Sequence, residues 1–267
     1  NFASSYNEER LIIEYRAKPT EKRDALNKDL IGMFVFNENL EEIWGKEVEM
    51  IYTEKKMNNI DYTIDGYGNA YILAEVYKDE TTRRKTKEGT PNYNLEVIRI
   101  DGEDQTITTS TVDLKDKFIT DVGFFEGKKN EIVVAGYYGN KFNQKTDGIF
   151  FAKLNKEGEI TDKTSAEIPV DVMAMYRSQM IQDNMEKRDE KGKDLSLDNM
   201  VLREIVFEDD GSVSLYGEKY YVTKSSSGST GGMGGIGGIG GISPVAGGTT
   251  TPGASKVSQQ VVHNKED

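Results

Sequence analysis

The sequence predicts an all-β chain of repeated four-stranded antiparallel units, and three observations predict it. Short segments of β-branched and aromatic residues alternate with Gly-, Asn- and Asp-bearing turns along most of the 267 residues. One strand-like unit is rewritten four times: around Leu11-Ile12-Ile13-Glu14-Tyr15, Ile72-Leu73-Ala74-Glu75-Val76, Val133-Val134-Ala135-Gly136-Tyr137 and Ser214-Leu215-Tyr216-Gly217. Glu14, Glu75 and Gly136 follow one another at successive intervals of 61 residues, a spacing that signals a repeat architecture. Third, Met33-Phe34-Val35-Phe36, Ile132-Val133-Val134-Ala135 and Ile149-Phe150-Phe151-Ala152 are continuously apolar, so both of their faces must be covered. Four-stranded blades stacked face to face supply that cover, and the expected architecture is a β-propeller segment. An irregular β-sandwich is the alternative.

Taken in order, residues 1–18 hold one copy of the repeated strand and are read as a partial blade. Hairpins follow at 31–36/43–50 and 60–64/70–77, turning at Asn37-Glu38-Asn39 and Asp65-Gly66-Tyr67-Gly68, and form a blade at about 29–78. The same order recurs at 95–100/105–112 and 118–125/131–138, a blade at about 93–139. A third blade at 147–224 joins 149–154/160–168 to 201–207/213–222. It is stretched, since Gly136 and Gly217 are 81 residues apart. The excess is a helical insert at 172–193, where Val172, Met173, Tyr176 and Met180 stand at helical spacing. Packing on a blade edge is the plain reading of that helix, and Tyr176 and Met180 as a partner-binding face is the sharper one. Residues 1–224 thus form one propeller-like segment. Residues 225–255 collapse to Gly, Ser and Thr and are expected to be a disordered loop or linker; 256–267 form a short tail or the start of a further strand. A closed four-bladed ring using residues 257–262 stays open as a variant. A start at Asn1, without Met or leader, reads as an excerpt or a processed chain.

Composition removes several classes of function. A net charge of −12 argues against nucleic acid, whose phosphates need a basic face. No apolar run reaches the roughly 18 residues of a transmembrane helix. There is no cysteine, hence no thiolate nucleophile, thiolate metal site or disulfide. The one histidine, His263, lies near the C-terminus, which disfavours His-dependent catalysis. Gly235-Ile236-Gly237-Gly238-Ile239-Gly240 matches a dinucleotide fingerprint only formally, because no strand precedes it and no helix follows.

What remains is carboxylate chemistry and surface binding. Glu41, Glu42, Asp61, Asp65, Asp209 and Asp210 are numerous enough for a glycosidase-type pair, but their places in turns and on strand faces explain them without catalysis. Asp61, Asp65 and Asn69 are a calcium candidate around a Gly-rich turn, though not at EF-hand spacing. No other cofactor is expected. Arg83, Arg84, Lys85 and Lys87 form a basic cluster, read either as a solvated loop or as a docking patch for an anionic partner.

Four stretches carry a family resemblance: 39–48 (Asn39-Leu40-Glu41-Glu42-Ile43-Trp44-Gly45-Lys46-Glu47-Val48), 114–124, 190–194 and 217–222. Together they resemble uncharacterised exported β-propeller-like repeat proteins of Bacteroidetes-type bacteria. The resemblance spans roughly residues 5–224, implies a periplasmic or cell-surface location and brings no catalytic residues; composition alone also permits a cytoplasmic one. The expected function is a non-enzymatic scaffold or binding module of the cell envelope, with a protein or envelope component as partner. Open blade edges also predict self-association. A carboxylate-dependent, glycan-active hydrolase on the same scaffold is the alternative.

Overall fold

The computed structural model describes residues 1–17, 27–127, 130–143, 145–175, 178–193, 195–208 and 213–219. The first sheet consists of β1 (Phe2–Ser4), β2 (Arg10–Arg16), β3 (Lys28–Asn37) and β4 (Glu42–Thr53), hydrogen-bonded in that order and antiparallel throughout. The second repeats the order with β5 (Met57–Ile64), β6 (Ala70–Tyr77), β7 (Tyr93–Ile100) and β8 (Ile107–Val112). The third begins with β9 (Phe118–Glu126) and β10 (Ile132–Gly139). After the short β11 (Lys145–Thr146) it is completed by β12 (Gly148–Leu154) and β13 (Ile160–Glu167). Helices α1 (Val170–Ala174) and α2 (Gln179–Asp189) follow, then β14 (Leu197–Asp198), which pairs with β11. The hairpin of β15 (Met200–Phe207) and β16 (Val213–Lys219) is a separate two-stranded sheet. The fold is all-β, with four-stranded antiparallel sheets as the sequence predicts.

Every expected hairpin forms, but the expected blade boundaries at 29–78, 93–139 and 147–224 are displaced by one hairpin. The reason lies in the connections. The successive strands β2 and β3, and β6 and β7 with the long polar loop 78–92 between them, lie in one sheet, whereas the short links 54–56 and 113–117 cross to the next. Residues 1–53 are accordingly a full four-stranded sheet, and the two-stranded unit is β15–β16 at the other end of the described residues.

The 61-residue interval marks real equivalents at the level of strands, since β2, β6 and β10 are each second in their sheet. It does not mark equivalent faces in the third sheet. Leu73 packs towards the third sheet, while Val134 and Tyr138, two positions either side of Gly136, pack back towards the second. A one-residue slip in a strand exchanges its faces, and a bulge in β9 opposite Tyr137 and Tyr138 absorbs it.

Successive sheets stack through three apolar layers. Ile12, Met33, Val35 and Val48 of the first meet Ile72 and Ile98 of the second. Leu73 and Val97 then meet Val134 and Phe150, and Val133 and Ala135 meet Met200, Leu202 and Ile205. The strands β6 and β10 are sandwiched on both faces, which is why their sequences are continuously apolar. Among the described residues no such layer covers the opposite face of the first sheet, which exposes Ile13, Tyr15, Leu30, Ile43 and Ile51.

First strands stand beside first strands, β1 against β5, β5 against β9, and β9 against β15. Two aspartates sew them together at an interval of 60 residues. Asp61 of β5 accepts the backbone N–H of Phe124 in β9 (2.8 Å), and Asp121 of β9 accepts that of Leu202 in β15 (2.7 Å). Asp121→Ala leaves the Leu202 N–H without its acceptor, an expected loss of about 1–2 kcal/mol in a urea melt, with Asp121→Asn keeping most of it. Equal stability of the alanine and wild-type chains would show that the bond adds nothing net.

The helical insert departs from the single helix expected at 172–193. Helix α1 ends at Met175, with ψ of 133°, and Ser178, also extended, immediately precedes α2. Met173 and Ala174 are buried, Met173 in the third layer, while α2 fully buries none of its residues and holds Met180 74% exposed. Most of the second helix is polar and exposed, and Met185 is partly buried against the third layer. Tyr176, the Gly-rich stretch 225–255 and the tail 256–267 lie outside the described residues.

Candidate functional site

Of the residues singled out from sequence, Asp65 and Asn69 meet in one turn. Asp65 is 1% exposed and saturated: Oδ1 accepts the backbone N–H groups of Tyr67 and Asn69, and Oδ2 accepts Asn69 Nδ2 and the Tyr71 hydroxyl, all at 2.8–2.9 Å. The Asn69 Oδ1 atom accepts from Arg99 and from the Gly102 N–H, and Asp61 is committed to Phe124. These oxygens face N–H and O–H donors, which a calcium cage would have to displace. Asp65 and Asn69 thus form a hydrogen-bonded turn, and Asp61 stitches β5 to β9.

The basic cluster is divided as well. Arg84 turns inward, half-buried, pairs with Glu75 and donates to the Ile119 carbonyl (2.9 Å) across the second interface. Its guanidinium lies 5.0 Å from the Tyr93 ring centre. Burial pushes the Glu75 carboxyl up, and the Arg84 charge and hydrogen bond offset part of that push. Arg83, Lys85 and Lys87 remain exposed, with Lys85 Nζ 5.8 Å from the Phe142 ring. Arg84 is therefore an interface ion-pair partner.

A site that sequence reading missed lies between the first and second sheets. An open cavity of about 960 Å³ is bounded by the start of β1, the end of β2, the 54–56 link and β5. On the first-sheet side Glu14 is buried and accepts from Asn1, while Arg16 bridges Asp29 (2.7 Å) and Glu54 (2.8 Å). Burial pulls the Arg16 guanidinium down, but these two carboxylates outweigh it and hold it above its usual value. On the second-sheet side Asn59 Nδ2 donates to the Tyr62 hydroxyl (2.9 Å), and Asn59 Oδ1 is buried without a protein partner. Burial, with the nearby Glu14 charge, pushes the Tyr62 hydroxyl up to about 12, so it stays protonated at neutral pH. A bulge between Asn59 and Asp61 lies at this wall. In the sequence Asn59 and Tyr62 are ordinary strand residues; only the mixed amide and aromatic content of 57–64 hints at a polar wall.

A second feature sits where the turns of three sheets meet. Glu126, the last residue of β9, accepts the backbone N–H of Tyr6 from the β1–β2 turn (2.5 Å) and that of Gly66 from the β5–β6 turn. Its other oxygen is buried without a partner. Burial pushes its carboxyl up to about 7; the two N–H groups pull down and the Asp65 charge pushes up. From about 4.5 to about 7 the folded chain therefore holds a proton that the unfolded chain has lost. Stability falls as pH rises through that window, and the penalty is complete above it. The group is partly solvated, so the penalty is discounted to about 1 kcal/mol. Glu126→Gln is expected to melt about 2–4 °C above wild type at pH 8 and level with it at pH 5. A wild-type slope against pH in the variant would remove Glu126 as its source.

Neither a family model nor a curated protein matches the chain. Solved structures align only loosely. A protein of unknown function from Bacteroides caccae aligns with TM-score 0.26 and 8% identity over 82% of this chain and 70% of its own. One from Dyadobacter fermentans gives 0.27 and 9% over 82% and 74%. The α-L-arabinofuranosidase of Lactobacillus brevis gives 0.35 and 11% over 82% and 62%. Alignments this loose fix neither a fold family nor an activity for this chain. Among the described residues no helix is long and apolar enough to cross a membrane.

Proposed function

We propose that the chain is a non-catalytic binding module of the bacterial cell envelope, built on a propeller segment and receiving its ligand in the cavity between the first two sheets. The observation that carries this reading is the state of the buried carboxylates. Glu14 accepts from Asn1, Asp29 from Arg16, Glu75 from Arg84 and Glu96 from the Tyr52 hydroxyl (2.8 Å), while Asp65 is saturated in its turn. Groups tied into the scaffold hold walls in place; acid–base work on a glycoside needs two facing carboxyls free to reach one bond. Glu126 favours the hydrolase alternative, because a carboxyl titrating near 7 suits a general acid. Its charged neighbour Asp65, however, is saturated and cannot serve as nucleophile.

Turnover assays of the purified chain on glycoside, peptide and ester panels test the reading. No product above blank is the expected result, and any turnover abolished by Glu126→Gln overturns it. The envelope location rests on the family resemblance, and fractionation of expressing cells checks it. The apolar outward face of the first sheet is the surface for self-association. Light scattering across a concentration series should then show association that Ile43→Lys reverses.

A further inference from the structure

We infer that a second copy of this chain docks head to tail on the β15–β16 hairpin, laying its first sheet against it and giving a backbone N–H to Glu204; the inference rests on the self-association reading above. The first strands β5, β9 and β15 share one irregularity. Each holds a bulge that leaves one residue without an opposite number (Ile60, Thr120 and Arg203), and an acid follows it: Asp61, Asp121 and Glu204. Asp61 reaches forward to the N–H of Phe124 in the next first strand, and Asp121 to that of Leu202. Glu204 is the third of the series. It is exposed, and its carboxylate has no partner among the described residues, whereas the neighbouring Arg203 is held by Glu218 at 2.8 Å. A first strand is the edge of its own sheet, so alternate N–H groups along it are free to answer such an acid.

The other end of the stack shows what it is built to receive. On the outward face of the first sheet the Tyr15 ring of β2 lies over Gly32 of β3, in the space a Cβ would take, and Phe34 stacks beside it with ring centres 6.1 Å apart. The third sheet holds the same pair in the same places: Tyr138 of its second strand lies over Gly148 of its third. There the face is closed. Tyr138 shares one apolar layer with Leu73, Leu95 and Val97 of the second sheet and is 2% exposed. On the first sheet the matching Tyr15 is 42% exposed. Such a face is one that a preceding sheet covers, and the β15–β16 hairpin of a second copy is the unit that precedes. Its outward side sets Val201, Val206 and Tyr216, all partly exposed, around Glu204. One end thus offers an unanswered acceptor and the other an uncovered apolar face. Neither end complements itself as well, since two Glu204 carboxylates brought together would repel. A heterologous contact of this kind builds rings or open chains of copies, which suits a scaffold.

Sedimentation of the full chain over a concentration series tests this. Wild type should associate. Glu204→Lys should raise the dissociation constant by about tenfold or more, while Glu204→Gln, which keeps an acceptor, should stay within about twofold of wild type. Neither should move the melting temperature measured at low concentration, because the Glu204 carboxylate is exposed and ties no described residue. Ile43→Lys blocks the opposite end. An equimolar mixture of Glu204→Lys and Ile43→Lys chains should regain the wild-type affinity and stop at the dimer, since each supplies the end that the other lacks. The chain has no cysteine, so a benzophenone attached to Val206→Cys marks the occupant, and its cross-link should reach the first sheet of a second chain. A wild-type monomer at every concentration overturns the inference. So does a cross-link to residues 220–267 of the same chain, which would make that segment the occupant. Glu204→Lys associating as tightly as wild type also overturns it, yet leaves self-association standing as a contact of the first-sheet face with itself. Turnover assays decide the non-catalytic reading separately.

Discussion

Arg84→Ala should destabilise the chain by about 3–5 kcal/mol at pH 8, and by visibly less at pH 5. The reason is what it leaves behind. Glu75 is 4% exposed in the strand sandwiched between two apolar layers, and Arg84 is its cation. The guanidinium also ties the loop 78–92 to the Ile119 carbonyl in the third sheet, so its loss opens an inter-sheet contact as well. With Arg84 gone, the main opposition to the burial that already raises the Glu75 carboxyl is lost, and the group is expected to take up a proton. A raised folded pKa means that stability falls with rising pH, so the deficit should widen from pH 5 to pH 8. The double variant Glu75→Gln/Arg84→Met removes both charges together and should recover most of the loss. Urea melts at the two pH values measure all of it. A pH-independent deficit would point to lost packing in place of an uncompensated charge.

That ion pair also shows where sequence reading stops. Hairpins were legible because each turn carries its own chemistry: Asp65 caps its turn by accepting two backbone N–H groups, and Gly68 (φ +89°) and Gly158 (φ +80°) take the left-handed positions. Assigning hairpins to sheets was not legible, since it depends on which strand edges meet. Loop length is no guide to it, because the fifteen residues 78–92 return to the same sheet while the link at 54–56 leaves it. Arg84 looked like one of four loop cations, and nothing local says that it alone turns inward. A weak signal was present for the inter-sheet stitches: Asp61 and Asp121 recur in first strands, and an acidic residue at a fixed place in a repeated strand invites an acceptor role. The cavity offered none, because the orphan oxygen of Asn59 exists only once Tyr62 has claimed its amide nitrogen.

Trp44→Ala is expected to cost a further amount of the same size, about 3–5 kcal/mol, through a different mechanism at the neighbouring interface. The indole of β4 is 8% exposed among Val35, Val48 and the apolar residues of β6, and its Nε1–H donates to the Gly68 carbonyl (3.0 Å) in the β5–β6 turn. Truncation therefore empties a large volume and strips a buried carbonyl of its donor at once. Trp44→Phe separates the two, since it keeps most of the ring and loses only the hydrogen bond, an expected cost of about 1 kcal/mol plus a smaller packing loss. Trp44 is also the only tryptophan, so its fluorescence reports on the first interface alone. If the sheets unfold as one unit, the wild-type fluorescence and circular-dichroism melts coincide, and Arg84→Ala at the second interface shifts both together. In a stack whose units contact only their neighbours, Arg84→Ala instead separates the two transitions. A fluorescence midpoint untouched by Arg84→Ala would mean that the first two sheets hold together without the third.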